Sequence, residues 1–596
     1  MTEFTPPLRD MRFVLRDLVG LDEIAALPGF EDATPDLVDA VLEEAGRFAA
    51  EVIAPLNRPG DSEGSRLAEG GVVTPTGFKD AYRRFVEGGW GAVAFDPAHG
   101  GQGLPYALSV ATLDMVQTAS LGFALCPLLT LGAVEAIAAH GDADLQATFL
   151  PKLVSGEWSG TMNLTEPQAG SDLALLRSRA VPDGDRYRIT GQKIFITYGE
   201  HDMAENIVHL VLARLPDAPR GVKGISLFAV PKFLPGPDGA PGAANDLRCV
   251  SLEHKLGIHA SPTCVMEFGG GGEGAVGWRI GEENAGLACM FTMMNNARLA
   301  VGLQGPAISE RAYQQALAYA RDRVQGAPVT GGGESVPIIQ HPDVRRMLME
   351  MKARTEAMRA LAYFAAAEID RARHHPDEGA RRAHQAAVDL LIPVVKGWCT
   401  DTGFAVASTG VQIHGGMGYI EETGAAQHLR DARIAMIYEG TNGIQAADLV
   451  GRKLGRDGGD AARAFLGRMN GTLAELAAAG ADLADIRAAL ADAVAALDAA
   501  TGHILDTLAH GPLDAAAAAA PYLDAFGKTA GGWLMAEAAL RAKAALAAGS
   551  DEAGFYAAKI ATARFFAQWE LPRVRADLAA VRAGAGTVMA LRENQF

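Results

Sequence analysis

Apolar positions recur every three or four residues through the first part of the chain. Leu37, Val38, Val41, Leu42, Ala45, Phe48, Ala49 and Ile53 fall on one face of a predicted helix over 36–54, which Pro55 ends. A shorter amphipathic piece precedes it at 9–18, and helical spacing returns over 78–87 and 107–117. Between these two lies the loop 96–105, DPAHGGQGLP. Its glycines lack the G-x-G-x-x-G spacing of a dinucleotide site, so it reads as a flexible connector.

Near Trp158 the period changes. The segments 187–189, 193–197, 207–213, 224–231 and 264–268 are short, rich in β-branched and aromatic residues and bounded by Gly, Pro or Asp, which predicts strands. The glycine run 269–274 reads as a loop tip, because no lysine and helix start follow it as a phosphate-binding loop requires. From Glu283 helical spacing persists over 284–323, 341–374, 378–410 and beyond Gly443, interrupted by the loop 325–338 with its GGGES. Residues 455–596 are alanine-rich and helical, and the aromatics between Tyr522 and Trp569 are expected to form their core.

The expected fold is α+β and mostly α. It comprises an N-terminal helical domain (1–154), a middle β-domain (155–281), a helical bundle (282–454) and an accessory helical domain (455–596). At 596 residues the chain is long enough for several such domains, and a composition of 49% hydrophobic and 21% charged residues is that of a globular protein.

Charge narrows the partners. A formal net charge of −18, from 71 acidic and 53 basic side chains, argues against nucleic acid and anionic membranes. The tail from 455 carries 13 basic and 16 acidic residues, so it offers no basic face either. Five scattered cysteines, odd in number and without a CxxC pair, read as reduced thiols in a cytoplasmic protein. No spacing reads as a metal site. The N-terminus MTEFTPPLRDMRF lacks the apolar core of a signal peptide, and no window of about 20 uninterrupted apolar residues is evident.

The candidate chemistry sits at 433–451, RIAMIYEGTNGIQAADLVG. An apolar run delivers Tyr438 and Glu439 to a turn of Gly440, Thr441, Asn442 and Gly443, after which a helix begins. Read alone, Thr441 or Asn442 caps that helix and Glu439 is a solvated acid near its positive end.

This stretch resembles the catalytic YEGT(x)xIQ segment of the acyl-CoA dehydrogenases. Four further blocks of that family stand upstream in order: MNLTEPQAGSD (162–172), GQKIFIT (191–197), NARLAVG (296–302) and QIHGGMGY (412–419). The resemblance covers about 35–455. The extended ends resemble the long subgroup that includes 3-methylmercaptopropionyl-CoA dehydrogenase and broad-range fatty acyl-CoA dehydrogenases.

The resemblance implies FAD-dependent α,β-dehydrogenation of an acyl-CoA, with Glu439 as the base and Gly440 letting the substrate pass close. Relatives that carry the base on the earlier helix differ here, since Asn295, Asn296, Ala297 and Arg298 include no carboxylate. Met162 and Thr165 are expected along the flavin edge, with Phe195, Ile196 and Thr197 on its other side. Arg323, Gln412, Gly415 and Gly416 are expected at the cofactor's diphosphate and distal half, contributed by a neighbouring subunit, which implies at least a homodimer. Thr441 and Gly443 belong to the flavin-facing turn, and Ser171 to the junction of cofactor and acyl-CoA.

Two departures from the family pattern are visible. Gln168 replaces the first glycine of EPGAGSD, and Gly443 replaces a glutamine that can hydrogen-bond flavin. The asparagines before Arg298 leave its role open between CoA contact and structural support. Electrons are expected to pass to an electron-transfer flavoprotein. The alternatives are an acyl-CoA oxidase and, from another class, a DNA-binding adaptive-response relative, which the acidic tail opposes.

Overall fold

The computed structural model describes residues 4–596. They divide into two compact units, one of residues 37–300 and one joining the N-terminal segment to residues 301–596.

In the 37–300 unit, helices Phe78–Glu87, Tyr106–Ala119, Leu121–His140 and Ala143–Ser155 lead into a sheet. Helix Tyr106–Ala119 is buried along its whole length, and Ser120 breaks the run and caps the next helix by accepting from the Phe123 N–H. Among the described residues, two helices, Leu121–His140 and Ala481–His510, are long and apolar enough to cross a membrane by length and composition, although polar or charged residues interrupt both. The first is apolar all round because it is a core helix, with 83% of its apolar window buried. The loop 96–105 is not a loose connector: Gln102, Gly103 and Leu104 hydrogen-bond back to Ala92, Phe95 and Val93, and Asp96 caps Ala98.

Eight strands form the sheet: β1 (Trp158–Asn163), β2 (Arg179–Asp183), β3 (Arg186–Thr197), β4 (Asn206–Ala213), β5 (Ser226–Pro231), β6 (Leu247–Leu252), β7 (Thr263–Phe268) and β8 (Ala275–Ile280). Their order is β6-β7-β3-β8-β5-β4-β1, with β2 also on β3. β1 and β4 pair in parallel, and the other ladders of this sheet are antiparallel. The segments read as separate strands at 187–189 and 193–197 are one long strand, β3. Ile189, Ile196, Val211, Phe228, Val230 and Met266 are among the side chains of its apolar core. The glycine run 269–274 wraps an internal carboxylate: Asp246 accepts from the backbone N–H groups of Gly271, Glu273 and Gly274. That explains the glycines without an external anion.

In the other unit, helices Gln304–Asp322, Pro342–His374 and Glu378–His414 lie against one another, and the accessory helices Asp460–Ala478, Ala484–His510, Pro512–Ala547 and Ala553–Trp569 follow. The helix expected over 284–323 breaks at Leu303. Of the tail aromatics, Tyr522, Phe526, Trp533 and Phe566 are core as expected, whereas Trp569 lies at the surface, stacked on Phe565. Phe555 and Tyr556 serve a different purpose. They receive Phe13 edge-on, and Arg9 lies over the Phe555 ring at 4.0 Å while bonding Glu552. Lys559 is paired with Asp10 and Glu356. The N-terminal segment is thus an integral part of this unit.

The accessory helix Pro512–Ala547 meets helix Glu378–His414 through Trp398, whose ring lies on Gly527. A Cβ at Gly527 would stand 2.1 Å from Trp398 Cγ. Alanine normally stabilises a helix interior by roughly 0.5–1 kcal/mol over glycine. Here overpacking reverses the sign, and Gly527→Ala is expected to destabilise by about 1–3 kcal/mol, read as a lower melting temperature.

Candidate active site

In the 37–300 unit, the residues expected at the flavin converge around the end of β1. Met162 is buried on β1, and the chain then turns through Leu164 and Thr165, whose carbonyl accepts from the Ile194 N–H at 2.9 Å. The Thr161 hydroxyl donates to the Thr197 carbonyl at 2.7 Å, tying β1 to the end of β3. On β3, Ile196 faces Cys264 and Lys193 faces Met266, so two β3 residues oppose one on β7. This bulge places Phe195 at φ 60° and drives its ring outward, where it is 59% exposed. An exposed aromatic in the left-handed region is unusual, and it stands on the strand that holds the Thr165 turn. Ser171 is exposed at the turn's far end, beside Asp172, which caps Ala174.

The turn rests on a buried ion pair. Glu166 accepts from Lys193 Nζ at 2.8 Å, from the backbone N–H groups of Arg177 and Ser178, and from the Ser178 hydroxyl. Lys193 is fully buried and also donates to the Leu164 carbonyl at 3.1 Å. Burial would raise the Glu166 pKa, but Lys193 and the Ser178 and Arg177 donors outweigh it and hold it at about 2. Burial also pulls Lys193 down, to about 8, against the pull of Glu166. With the Gln168 amide as a fifth donor to the carboxylate, we conclude that the pair is ionised at neutral pH.

Arg298 is buried, with its guanidinium 5.8 Å from the Phe291 ring.

In the other unit, Arg323 is exposed where helix Gln304–Asp322 ends, bonded to the Gln325 amide at 3.3 Å. One turn earlier, Tyr319 lies 4.5 Å from the His414 ring. That contact sets the helix end against the turn holding Gln412, Gly415 and Gly416, all exposed. A Cβ at either glycine would meet nothing within 4 Å, so this face is open. Beside it, Met417, Tyr419 and Ile420 expose large apolar surface, Tyr419 to 86%.

Glu439 stands apart in its backbone. It takes φ 56° and Gly440 φ 82°, two successive left-handed residues of which only the glycine does so freely. The bend is fixed from both sides. Gln445 Nε2 donates to the Glu439 carbonyl at 3.1 Å, and the buried Lys396 donates to the Gly440 carbonyl at 2.7 Å. Before the bend, the Tyr438 hydroxyl donates to Gln304. After it, Thr441 caps helix Asn442–Asp448 by accepting from the Ile444 N–H, and Gly443 is exposed. Both the capping role and the carboxylate at the bend are therefore real features of one turn.

Four family domains match the chain in order. They are "Acyl-CoA dehydrogenase, N-terminal domain" over 36–157, "middle domain" over 161–270, "C-terminal domain" over 284–454, and "Acetyl-CoA dehydrogenase C-terminal like" over 465–592. The chain belongs to the acyl-CoA dehydrogenase family. It is 52% identical to the 3-methylmercaptopropionyl-CoA dehydrogenase of Ruegeria pomeroyi over 96% of this chain and 97% of that protein. It is 34% identical to the broad-specificity linear acyl-CoA dehydrogenase FadE5 of Mycobacterium tuberculosis over the full length of both. In fold it is similar to an acyl-CoA dehydrogenase from Bacillus anthracis solved in complex with FAD, with a TM-score of 0.74 and 21% identity over 96% of this chain and 91% of that one.

Within this acyl-CoA dehydrogenase, the departure at Gln168 is absorbed locally: its amide donates to Glu166 at 2.6 Å and to the Leu175 carbonyl. The sequence reading missed Lys193, Glu166, Lys396 and Gln445. For Lys396 a signal existed, since it is the lone cation in LLIPVVKGWC, a helical stretch otherwise built for burial.

Proposed function

We propose that this acyl-CoA dehydrogenase converts an acyl-CoA thioester to its trans-2-enoyl-CoA with Glu439 as the base. The observation that carries the reading is the Glu439–Gly440 bend, a carboxylate held in a costly backbone conformation by partners on its carbonyls. The α C–H bond breaks, its proton passes to the Glu439 carboxylate, and the electron pair forms the Cα=Cβ bond as the β-carbon loses a hydride. FAD is the cofactor and, when bound, supplies the hydride acceptor. The Glu439 backbone N–H serves as a donor to the thioester carbonyl, which acidifies the α-carbon, and Gly440 lets the thioester approach.

The chain's own groups suit such a cofactor. Met162, Thr165, Phe195, Ile196 and Thr197 offer hydroxyls and an outward aromatic ring, and in the other unit Thr441 and Gly443 are assigned to a flavin-facing turn of their own. Arg323 offers a forked cation to a diphosphate beside the open backbone of Gln412, Gly415 and Gly416. Ser171 lies at the junction with acyl-CoA, and Arg298, being buried, supports the helix that carries it. The exposed Met417, Tyr419 and Ile420 suit a face covered by a second subunit, which makes the working form a homodimer. Electrons pass to an electron-transfer flavoprotein, and the enzyme works in the cytoplasm. With 52% identity across nearly both whole chains, 3-methylmercaptopropionyl-CoA stands first among substrates and fatty acyl-CoA second.

The test is anaerobic titration of the flavin-loaded protein with short, long and methylthio-substituted acyl-CoAs, following flavin absorbance. Bleaching by one thioester at stoichiometric concentration supports the reading, and absence of bleaching by all of them overturns it. Reoxidation by electron-transfer flavoprotein without hydrogen peroxide marks a dehydrogenase, and rapid peroxide formation in air an oxidase. Arg323→Gln is expected to weaken FAD retention by about 10- to 100-fold, the range for one charge-assisted phosphate contact, measured as flavin per chain after gel filtration.

A further inference from the structure

Lys396 sits in the middle of helix Glu378–His414 and is fully buried. A buried ammonium is costly unless its protons are directed at acceptors. Here Nζ donates to the Gly440 carbonyl at 2.7 Å and to Asn442 Oδ1 at 2.8 Å. The Asn442 amide in turn donates to the Gly397 carbonyl, the Thr400 hydroxyl and Asp401 Oδ1 at 2.8–3.1 Å. One and a half turns of the helix therefore grip the loop on both sides of Thr441.

The grip falls where the backbone needs it. Glu439 pays for a left-handed conformation that a β-carbon disfavours, and such a residue persists only when its surroundings over-determine it. Without Lys396, the peptide between Gly440 and Thr441 would keep only the longer bond from Gln445 Nε2 to the Gly440 carbonyl, at 3.4 Å, and Gly440 has no side chain to restrain it further. The Glu439 carboxylate and N–H would then sample directions away from any α-proton, and a misplacement of about 1 Å costs roughly 100-fold in rate.

We infer that Lys396 is the positioning residue for the base: it holds the Gly440 carbonyl and so fixes the direction in which Glu439 presents its carboxylate and N–H. The inference rests on Glu439 being the base. It assigns Lys396 no contact with substrate or cofactor. Its effect is on proton abstraction, and flavin binding and thioester affinity are left largely intact.

A probe that isolates proton abstraction is (methylthio)acetyl-CoA, whose β-position is sulfur and carries no hydrogen to transfer. Its α-protons exchange with D2O only through the base, and NMR reads the rate. In flavin-loaded Lys396→Met, exchange and kcat are expected to fall together by about 10- to 100-fold, the range for loss of one charge-assisted hydrogen bond. KM and flavin content are expected to stay within about threefold of wild type, as uniform binding is untouched. Should Lys396→Met yield no soluble flavoprotein, Asn442→Ala removes the second acceptor and the link to Asp401 while keeping the cation, with an expected loss of about 5- to 20-fold.

Exchange within about twofold of wild type in either flavin-loaded variant overturns the inference. Glu439→Gln separates the two failures. If it retains exchange, the base assignment falls. If it abolishes exchange while Lys396→Met and Asn442→Ala keep it, the base stands and the positioning role alone is lost.

Discussion

Glu439→Gln is expected to keep its fold and its flavin and to lose turnover by about a thousand- to ten-thousand-fold, the upper range for removing a positioned general base. The amide is nearly isosteric and keeps the backbone N–H, so thioester binding survives while the proton acceptor is gone. Stopped-flow flavin reduction under anaerobic conditions reads the loss directly, and reduction within tenfold of wild type would refute the assignment. The backbone adds a second, opposite readout. Glu439 sits at φ 56°, where a non-glycine residue stores strain of order 1 kcal/mol or more. Glu439→Gly relieves it, so this variant is expected to be as inactive as Glu439→Gln yet to melt at or above the wild-type temperature. That pair of outcomes would mark Glu439, held in its bend by Lys396 and Gln445, as a residue placed for chemistry and not for the fold.

The order of helices, strands and helices was legible from periodicity alone, because each element buries one face and the sequence records that face. Helix Phe78–Glu87 coincides with its predicted bounds, and Glu378–His414 runs four residues beyond them. The breaks were less legible. Nothing in the spacing marks the interruption at Leu303, where helical spacing continues through the turn. The parallel pairing of β1 with β4 and the bulge that exposes Phe195 depend on partners 40 residues or more away, which local pattern does not report.

The same limit governed the site. Family motifs pointed to Glu439, Thr165 and Phe195 because these residues lie inside contiguous blocks. Lys396 acts on a carbonyl 44 residues further along, and Lys193 on a carboxylate 27 residues before it, so their purpose exists only once the chain has folded. The N-terminal segment shows the same thing at greater range: Asp10 meets Lys559 across 549 residues, and a short amphipathic pattern at 9–18 gave no sign of that partner. Gln168 and Gly443, the two visible departures from the family pattern, fare differently. The first gains a bond to Glu166, while Gly443 lies exposed at the start of its helix.

Breaking the Glu166–Lys193 pair is expected to be the most destabilising single change in the β-domain. Both side chains are buried, Lys193 completely, so Glu166→Ala leaves an ammonium without its carboxylate and removes the acceptor for the Arg177 and Ser178 N–H groups. Losses of about 3–5 kcal/mol follow from stranding one member of a buried pair. Replacing both, as Glu166→Leu with Lys193→Met, is expected to recover most of that stability, because the attraction within such a pair is largely offset by desolvation. Flavin retention should not recover with it: the Leu164 carbonyl loses its donor and the Thr165 turn its footing, whatever the melting temperature. The pH dependence has a definite sign. Glu166 titrates at about 2 in the folded protein against an ordinary 4.5, so its contribution is complete above pH 4.5 and is lost as pH falls toward 2. Wild type should therefore lose stability through that window faster than Glu166→Gln. Equal acid sensitivity in the two proteins would show that the pair carries no net charge stabilisation, and flavin retention by the double variant would show that the cofactor turn does not depend on it.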